Sequence, residues 1–210
     1  WTFAKAHLGK VDNKAVGALF DRIASAGGWR PRKRKKDFQA ADPYEGALKL
    51  PRSLPVPDEN FDYLRERNVS VELARSFGLR MCIQGLFKFR KENGEPRKQV
   101  YSGRLIIPVY DLRGNLVTFQ GRDTTGELDP KYLFPPRLPG TARFIYNGHR
   151  AMAEGWETVV LGEGAFDCIA IQRAIDGDPS MKSMGACGTF GKKLTLDSTA
   201  GSERQLQALV

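Results

Sequence analysis

The stretch V-V-L-G-E-G-A-F-D, residues 159–167, joins an apolar run to two acidic side chains. Glu163 stands between Gly162 and Gly164, and Asp167 follows four positions later. Glycines let the backbone and a substrate approach closely, and a spacing of four places both carboxylates on one face of a helix. Two converging carboxylates suit Mg²⁺, whose shell substrate phosphates complete, and such a carboxylate can accept a proton. The stretch therefore predicts a metal-dependent acidic site.

The same stretch also has a structural interpretation, because acidic residues in the first turn of a helix interact favourably with the helix dipole. A second glycine-rich tip weighs against that interpretation. Residues 183–187 predict another short strand, and Gly188 and Thr189 follow it directly. Both tips are expected at the carboxyl ends of parallel strands, where ligands bind in α/β sheets.

The elements around the acidic stretch alternate between strand and helix. We predict a strand at 158–161, an amphipathic helix at 166–174, a second strand at 183–187 and the start of a second helix at 203–210. Strand, helix, strand and helix in this order are typical of a parallel α/β sheet.

Residues 80–150 predict a different, mostly antiparallel unit. Short strands are expected at 86–89, 105–110 and 116–120, and a tight turn at 111–115 joins the last two. Before this unit, the periodicity predicts a pair of helices between Asp58 and Leu79. Their apolar face consists of Phe61, Leu64, Val69, Leu73 and Phe77.

The first 57 residues predict little compact structure. Residues 1–29 contain one probable helix, whereas residues 30–57 begin with R-P-R-K-R-K-K and are rich in proline. Repulsion between like charges and repeated prolines oppose compaction, so this segment is predicted to be an extended linker. Its basic run fits either a solvated tether or a phosphate-binding arm.

The net charge of +9 is unevenly distributed along the chain. Residues 80–150 carry +7 and residues 151–210 carry −3. This arrangement fits a polyanion-binding surface beside a carboxylate-rich metal site, although ordinary solvated charge would also produce it.

The three cysteines are scattered without zinc-ribbon spacing, and no apolar run is long enough to cross a bilayer. A cytoplasmic protein without a membrane partner is expected.

Several blocks, in order along the chain, resemble the catalytic core of bacterial and phage DNA primases. Residues 160–167 resemble the E-G-x-x-D signature of Toprim domains, and 184–189 resemble the segment that follows it in replicative primases. The other matching blocks are the opening helices at 63–79, R-x-x-x-P-x-x-D at 104–111, G-x-x-x-x-F-x-G-R at 114–122 and P-K-Y-L at 130–133.

The resemblance implies an α/β fold in which a partial Toprim domain follows a basic α+β primase N-terminal subdomain. Residues 1–29 would be a helical remnant after a missing zinc-binding module, and 30–57 a basic, proline-rich linker. Residues 58–150 would form the nucleic-acid-binding subdomain, and 151–210 a Toprim domain incomplete at its C-terminus. Both ends are thus expected to be trimmed from a longer polypeptide.

The resemblance also implies roles for individual residues. Glu163 and Asp167 would be the catalytic residues and ligands of Mg²⁺ or Mn²⁺. The remaining ligands, in an Asp-x-Asp element, are expected beyond Val210, because Asp197 follows no apolar strand and is interpreted as a loop residue. Zinc would belong only to a module absent from this chain. The residues expected to bind template or nucleotide are Arg104, Arg122, Lys131 and Tyr132.

The implied function is that of a magnesium-dependent, DNA-directed RNA polymerase that makes short primers from ribonucleoside triphosphates on single-stranded DNA during replication. A replicative helicase, separate or fused, is an expected partner. Catalysis by this stretch alone is not implied. Two alternatives stay open: a Toprim-type nuclease or topoisomerase-like enzyme, and a non-catalytic nucleic-acid-binding module.

Overall fold

The computed structural model describes residues 48–57 and 61–191. The helix predicted within residues 1–29, most of the linker, Asp197 and the helix predicted at 203–210 lie outside these ranges. Among the described residues, no helix combines the length and the apolar character that crossing a membrane requires.

Nine strands and four α-helices make up the described part of the chain. The strands are β1 (Leu54–Pro55), β2 (Arg80–Cys82), β3 (Leu86–Arg90), β4 (Pro96–Val100), β5 (Arg104–Tyr110), β6 (Leu116–Asp123), β7 (Tyr132–Leu133), β8 (Thr158–Gly162) and β9 (Met184–Gly188). The helices are α1 (Asp62–Arg65), α2 (Val71–Ser76), α3 (Gly148–Glu154) and α4 (Ala165–Asp176), with short 3₁₀ turns at Thr141–Arg143 and Pro179–Met181.

The predicted antiparallel unit is confirmed. Strands pair antiparallel in the order β1-β2-β5-β6-β7, and β3 and β4 form a separate hairpin. The predicted turn joins β5 to β6: the Asp111 carboxylate accepts hydrogen bonds from the amides of Arg113 and Asn115, and Gly114 has a φ of +83°. Strand β4 was not predicted, because its sequence P-R-K-Q-V lacks the apolar alternation on which the prediction depends.

The predicted helical pair is also confirmed. It consists of α1 and α2, and the interruption falls where expected, with Asn68 at a φ of +53° and Ser70 capping α2 through a hydrogen bond from Leu73 N at 3.1 Å. Leu64 and Phe77 on the predicted apolar face are buried in the main core.

The end of the predicted linker packs against the sheet instead of extending freely. Strand β1 pairs with β2, Val56 is fully buried, and Arg75 donates two hydrogen bonds to the Val56 carbonyl. Proline is compatible with this position because β1 lies at the sheet edge, where Pro55 need not donate to a neighbouring strand.

The predicted parallel unit is confirmed by β8 and β9, which pair in register from Thr158–Met184 to Gly162–Gly188 with α4 between them in sequence. The boundary predicted between residues 150 and 151 falls inside α3. Just before α3, Tyr146 exchanges backbone hydrogen bonds with Gly188. The residues around α3 therefore pack with the parallel unit.

One hydrophobic cluster joins the two units. It contains Leu64 and Ile107 from the first unit together with Ile169 and Ala186 from the second. A smaller cluster around Tyr101 and Phe119 lies between the β3–β4 hairpin and the larger sheet. The three cysteines are buried as free thiols.

Candidate active site

The acidic loop begins where β8 ends. A Cβ atom on Gly162 would lie 3.0 Å from both the Asp167 Cβ and the Cys168 amide nitrogen, so the absence of a side chain favours this close approach. Glu163 follows directly and its side chain is exposed. The predicted position of Glu163 at the carboxyl tip of a parallel strand is confirmed.

Asp167 lies in the first turn of α4 and is also exposed. Its Oδ2 atom accepts a hydrogen bond from the Gly164 amide at 2.9 Å. Asp167 therefore has a structural role at the start of α4, because it holds the glycine loop against that helix. Among the described residues, no hydrogen-bond donor contacts its Oδ1 atom, so one oxygen stays available for a ligand.

The second glycine tip lies beside the first, as predicted. The Thr189 amide donates to the Gly162 carbonyl at 3.1 Å. A Cβ atom on Gly188 would meet the Gly164 carbonyl at 3.4 Å. Both tips therefore belong to one surface at the carboxyl ends of β8 and β9, where a ligand of an α/β sheet is expected.

The described residues contain no group of three or more His, Cys, Asp or Glu side chains that could hold a metal ion. Glu163 and Asp167 supply two carboxylates, and Mg²⁺ in proteins is commonly held by one or two carboxylates together with substrate phosphates. The donor set present therefore fits a magnesium ion that is also bound by a phosphorylated substrate.

A cleft of about 530 Å³ opens on the basic unit. Arg122 and Lys131 line it together with the loop that follows β6, and their binding of template or nucleotide stays a prediction. Its charge is mixed. The cations are Arg67, Arg122 and Lys131, and the carboxylates are Glu66, Asp123, Glu127 and Asp129. The net charge of residues 80–150 therefore does not describe this cleft, and the polyanion-binding surface that it fits stays a prediction.

Arg122 and Tyr132 are brought together by strand pairing. They are opposite each other in β6 and β7, and the guanidinium carbon lies 4.4 Å from the centre of the Tyr132 ring. Arg122 is only 7% exposed, and its Nε atom has no hydrogen-bond partner among the described residues. Such a cation–aromatic pair can hold a phosphate and stack a base.

Arg104 and Lys131 occupy different environments. The Arg104 side chain is 4% exposed, and its Nη1 atom donates to the carbonyl of Pro130 at 2.7 Å and, more weakly, to that of Gly121 at 3.5 Å. It braces the main chain beneath the P-K-Y-L block, and its contact with template or triphosphate stays a prediction. Lys131 is exposed, while its carbonyl accepts a hydrogen bond from the Asp123 amide.

Tyr63, Arg67 and Phe166 were not predicted as site residues. The Arg67 guanidinium lies 3.8 Å from the centre of the Tyr63 ring, and Arg122 lies 5.7 Å from it. Phe166 meets the same ring edge-on at 5.4 Å, one residue before Asp167. The cleft wall therefore touches the helix that carries Asp167. No sequence pattern indicates this contact, because it joins elements about 100 residues apart.

Two titrating groups in the cleft have shifted pKa values. Burial raises the pKa of the Tyr63 hydroxyl, although Arg122 and Arg67 partly oppose the shift, so this group is neutral at pH 7. For Asp123, burial acts to raise the pKa, but hydrogen bonds from Thr125 outweigh it and place the pKa below its ordinary value. Asp123 therefore stays ionised and orders the loop that forms one side of the cleft.

Comparison with known proteins places this geometry in context. Residues 80–139 match the family described as the N-terminal domain of the DNA primase catalytic core. A DNA primase of Synechococcus elongatus is 38% identical over 88 residues, which cover 40% of this chain and 12% of that protein. A DNA primase of Pseudomonas putida is 29% identical over 157 residues, covering 63% of this chain and 23% of that protein. The predicted resemblance to bacterial primases is confirmed, and the chain spans less than a quarter of the length of these relatives.

Solved primase structures also align with the chain. A DNA primase domain from Pseudomonas aeruginosa aligns with a TM-score of 0.48 and 23% identity, over 70% of this chain and 49% of that one. A primase catalytic domain bound to single-stranded DNA aligns with a TM-score of 0.46 and 21% identity, over 64% of this chain and 48% of that one.

Proposed function

We propose that this chain, whose sequence resembles bacterial DNA primases, forms part of an RNA-polymerase core that joins ribonucleotides on a single-stranded DNA template. One observation carries the proposal. The exposed Glu163 stands at the end of a parallel strand, and the helix that follows contacts the Arg122 cleft through Phe166 and Tyr63. An acidic centre and a phosphate-binding cleft thus share a wall.

Glu163 and Asp167 would act at the acidic centre. Glu163, exposed and adjacent to two glycines, would accept the proton of an attacking 3′-hydroxyl. Asp167 would hold the Gly164 loop with one oxygen and turn the other toward the ligand. Mg²⁺ or Mn²⁺, held by these carboxylates, would neutralise charge on the phosphoryl group that is transferred.

The cleft would position the polyanionic substrates. Arg122 and Lys131 would contact phosphate oxygens, which fix position without reading sequence, and Tyr132 would stack on a base or donate a hydrogen bond. Arg104, buried behind the cleft, would act by holding the P-K-Y-L block in place. A replicative helicase, separate or fused, would be a partner.

Replacing the proposed proton acceptor tests this function. In a longer polypeptide that includes this chain, Glu163→Gln should abolish the synthesis of short RNA from ribonucleotides on single-stranded DNA, because the amide cannot accept the proton. Binding of a labelled single-stranded oligonucleotide, measured by fluorescence anisotropy, should be unchanged. Glu157→Gln is the matched control, since Glu157 is an equally exposed carboxylate just before the other end of β8. Undiminished RNA synthesis by Glu163→Gln would refute the assignment.

A non-catalytic nucleic-acid-binding module is the second candidate, and the lack of a three-residue metal cluster among the described residues favours it. Titration with Mn²⁺, followed by paramagnetic broadening of backbone amide signals, separates the two. Broadening centred on residues 163–167 that Glu163→Gln removes would support a catalytic centre. Uniform, weak broadening together with intact DNA binding would support the module. Nicking of a labelled duplex would instead indicate a Toprim-type nuclease.

A further inference from the structure

Tyr63 lies at the centre of a stack of rings and guanidinium groups that crosses the cleft. Arg122 and Arg67 both lie within 6 Å of the centre of its ring, and Phe166 contacts the ring edge-on. Arg122 in turn lies over Tyr132. Two cations are therefore brought to a single aromatic ring, whose other neighbour, Phe166, belongs to the helix that carries Asp167.

Two polar atoms in this stack have no partner in the described part of the chain. They are the Tyr63 hydroxyl and Arg122 Nε, and each belongs to a side chain that is more than nine-tenths buried. Buried polar groups in native structures are nearly always hydrogen-bonded, and Arg122 lies close enough to the Tyr63 hydroxyl to lower its pKa. The two groups are therefore neighbours that a ligand in the cleft can bridge. Both residues line that cleft.

The chemistry of such a ligand follows from the donors. Arg122 offers N–H donors, and the neutral Tyr63 hydroxyl can donate one further hydrogen bond. Arg67 adds a planar fork of donors, of which one is used by the Tyr63 carbonyl at 2.9 Å, while Glu66 lies 3.8 Å away on the exposed side. Two guanidinium groups and a hydroxyl donor on one side of the cleft fit a phosphate group, which Arg binds in bidentate fashion, although carboxylates line the rest of the cleft.

We propose that Tyr63 and Arg67 form, together with Arg122, a phosphate-binding subsite on the wall between the cleft and the helix that carries Asp167. The proposal rests on the proposed function and extends it to two residues outside the predicted site. The phosphate would belong either to the backbone of the single strand or to a ribonucleoside triphosphate. Arg67 and Tyr63 would hold it beside the acidic centre.

Two conservative variants isolate the subsite in the full chain. Tyr63→Phe removes only the hydroxyl, and Arg67→Met removes the guanidinium while retaining an apolar stem. Arg65→Met is the matched control, because Arg65 belongs to the same helical segment and carries the same charge, yet it does not line the cleft. The probes are a fluorescein-labelled single-stranded oligonucleotide, followed by anisotropy at several salt concentrations, and a ribonucleoside triphosphate, followed by calorimetry.

Tyr63→Phe should weaken binding of at least one probe by about tenfold, because a hydrogen bond to a charged group is lost. Its melting temperature should change little, since the hydroxyl has no partner at full hydrogen-bond geometry among the described residues. Arg67→Met should weaken the same probe. If that probe is the oligonucleotide, the slope of log affinity against log salt should shrink by about 0.7, as for one phosphate contact. Arg65→Met should match the parent chain.

The outcomes separate this proposal from the proposed function. A loss confined to the oligonucleotide identifies a backbone phosphate, and a loss confined to the triphosphate identifies the nucleotide. Parent-level binding of both probes by Tyr63→Phe and Arg67→Met overturns the subsite while leaving the proposed function intact. Failure of the parent chain to bind either probe overturns the proposed function itself. If Arg67→Met does not fold, Tyr63→Phe decides alone.

Discussion

The two glycines that flank Glu163 should respond very differently to alanine. A Cβ atom on Gly162 would lie 3.0 Å from the Asp167 Cβ and from the Cys168 amide, both of which belong to the well-packed start of α4. Within 4 Å and among the described residues, a Cβ atom on Gly164 would meet only the Asp167 Oδ2, at an ordinary contact distance of 3.5 Å. Comparing the two alanine variants therefore distinguishes the effect of close packing at Gly162 from the effect of replacing any glycine in this loop.

The magnitudes follow from these distances. Overpacking at Gly162→Ala should cost about 1–3 kcal/mol, and the reduced entropy of the unfolded chain offsets about 0.4–1 kcal/mol of that cost. A net loss of roughly 1–2 kcal/mol corresponds to a fall in melting temperature of roughly 2–8 °C for a domain of this size. At Gly164→Ala, the same entropic gain and the poor N-capping of alanine nearly cancel, so a change within about 0.5 kcal/mol is expected.

Urea unfolding followed by circular dichroism measures both variants against the parent chain. The midpoint should shift for Gly162→Ala with little change in the slope, because the unfolded chains expose similar surface. Equal destabilisation by the two variants would refute the argument that the Gly162 contact, and not the flexibility of the loop, holds α4 against β8. A stabilised Gly162→Ala would refute it more strongly.

Two further predictions concern other parts of the fold. Gly185→Ala should destabilise the protein by about 1–3 kcal/mol, because its Cβ atom would lie 1.9 Å from the Trp156 indole. Gly140→Ala is the control and should not destabilise it, since no described atom lies within 4 Å of a Cβ atom at that position. Thermal melts compare the two variants, and equal melting temperatures would contradict the packing around Gly185. The Asp123 pKa is lower in the folded than in the unfolded state, so its ionised carboxylate stabilises the fold. This contribution to the free energy of unfolding is present above about pH 4 and is lost as the pH falls through the folded-state pKa. Asp123→Asn should therefore be less stable than the parent at pH 7, and the difference should shrink toward pH 2; a constant difference in unfolding free energy would contradict this.

Two arginines of the basic unit, Arg104 and Arg122, show that residue type alone does not determine what a side chain contacts. Each lies in a sequence block that resembles the primase core, and both were predicted to bind template or triphosphate. In the structure, Arg104 donates to main-chain carbonyls, whereas Arg122 lies over Tyr132 and lines the cleft. The difference depends on where β7 and its preceding loop pack, and no local pattern specifies that packing.

The charge of the basic unit is a similar case. Residues 80–150 carry a net +7, which indicated a cationic surface. The loop after β6 folds so that Asp123, Glu127 and Asp129 face the same cleft as Arg122. A sum over sequence counts charges without their positions, so it cannot distinguish a mixed cleft from a basic face.

By itself, the sequence determined the alternation of strands and helices, the β5–β6 turn and the exposed position of Glu163 at a strand end. These features depend on residues close together in the chain, whose periodicity and glycine spacing are local properties. Only the tertiary structure decided that Tyr63 joins Arg122 to Phe166, and which charged side chains are buried. Such contacts arise from packing between distant segments, because burial and charge pairing depend on the position of every neighbouring element.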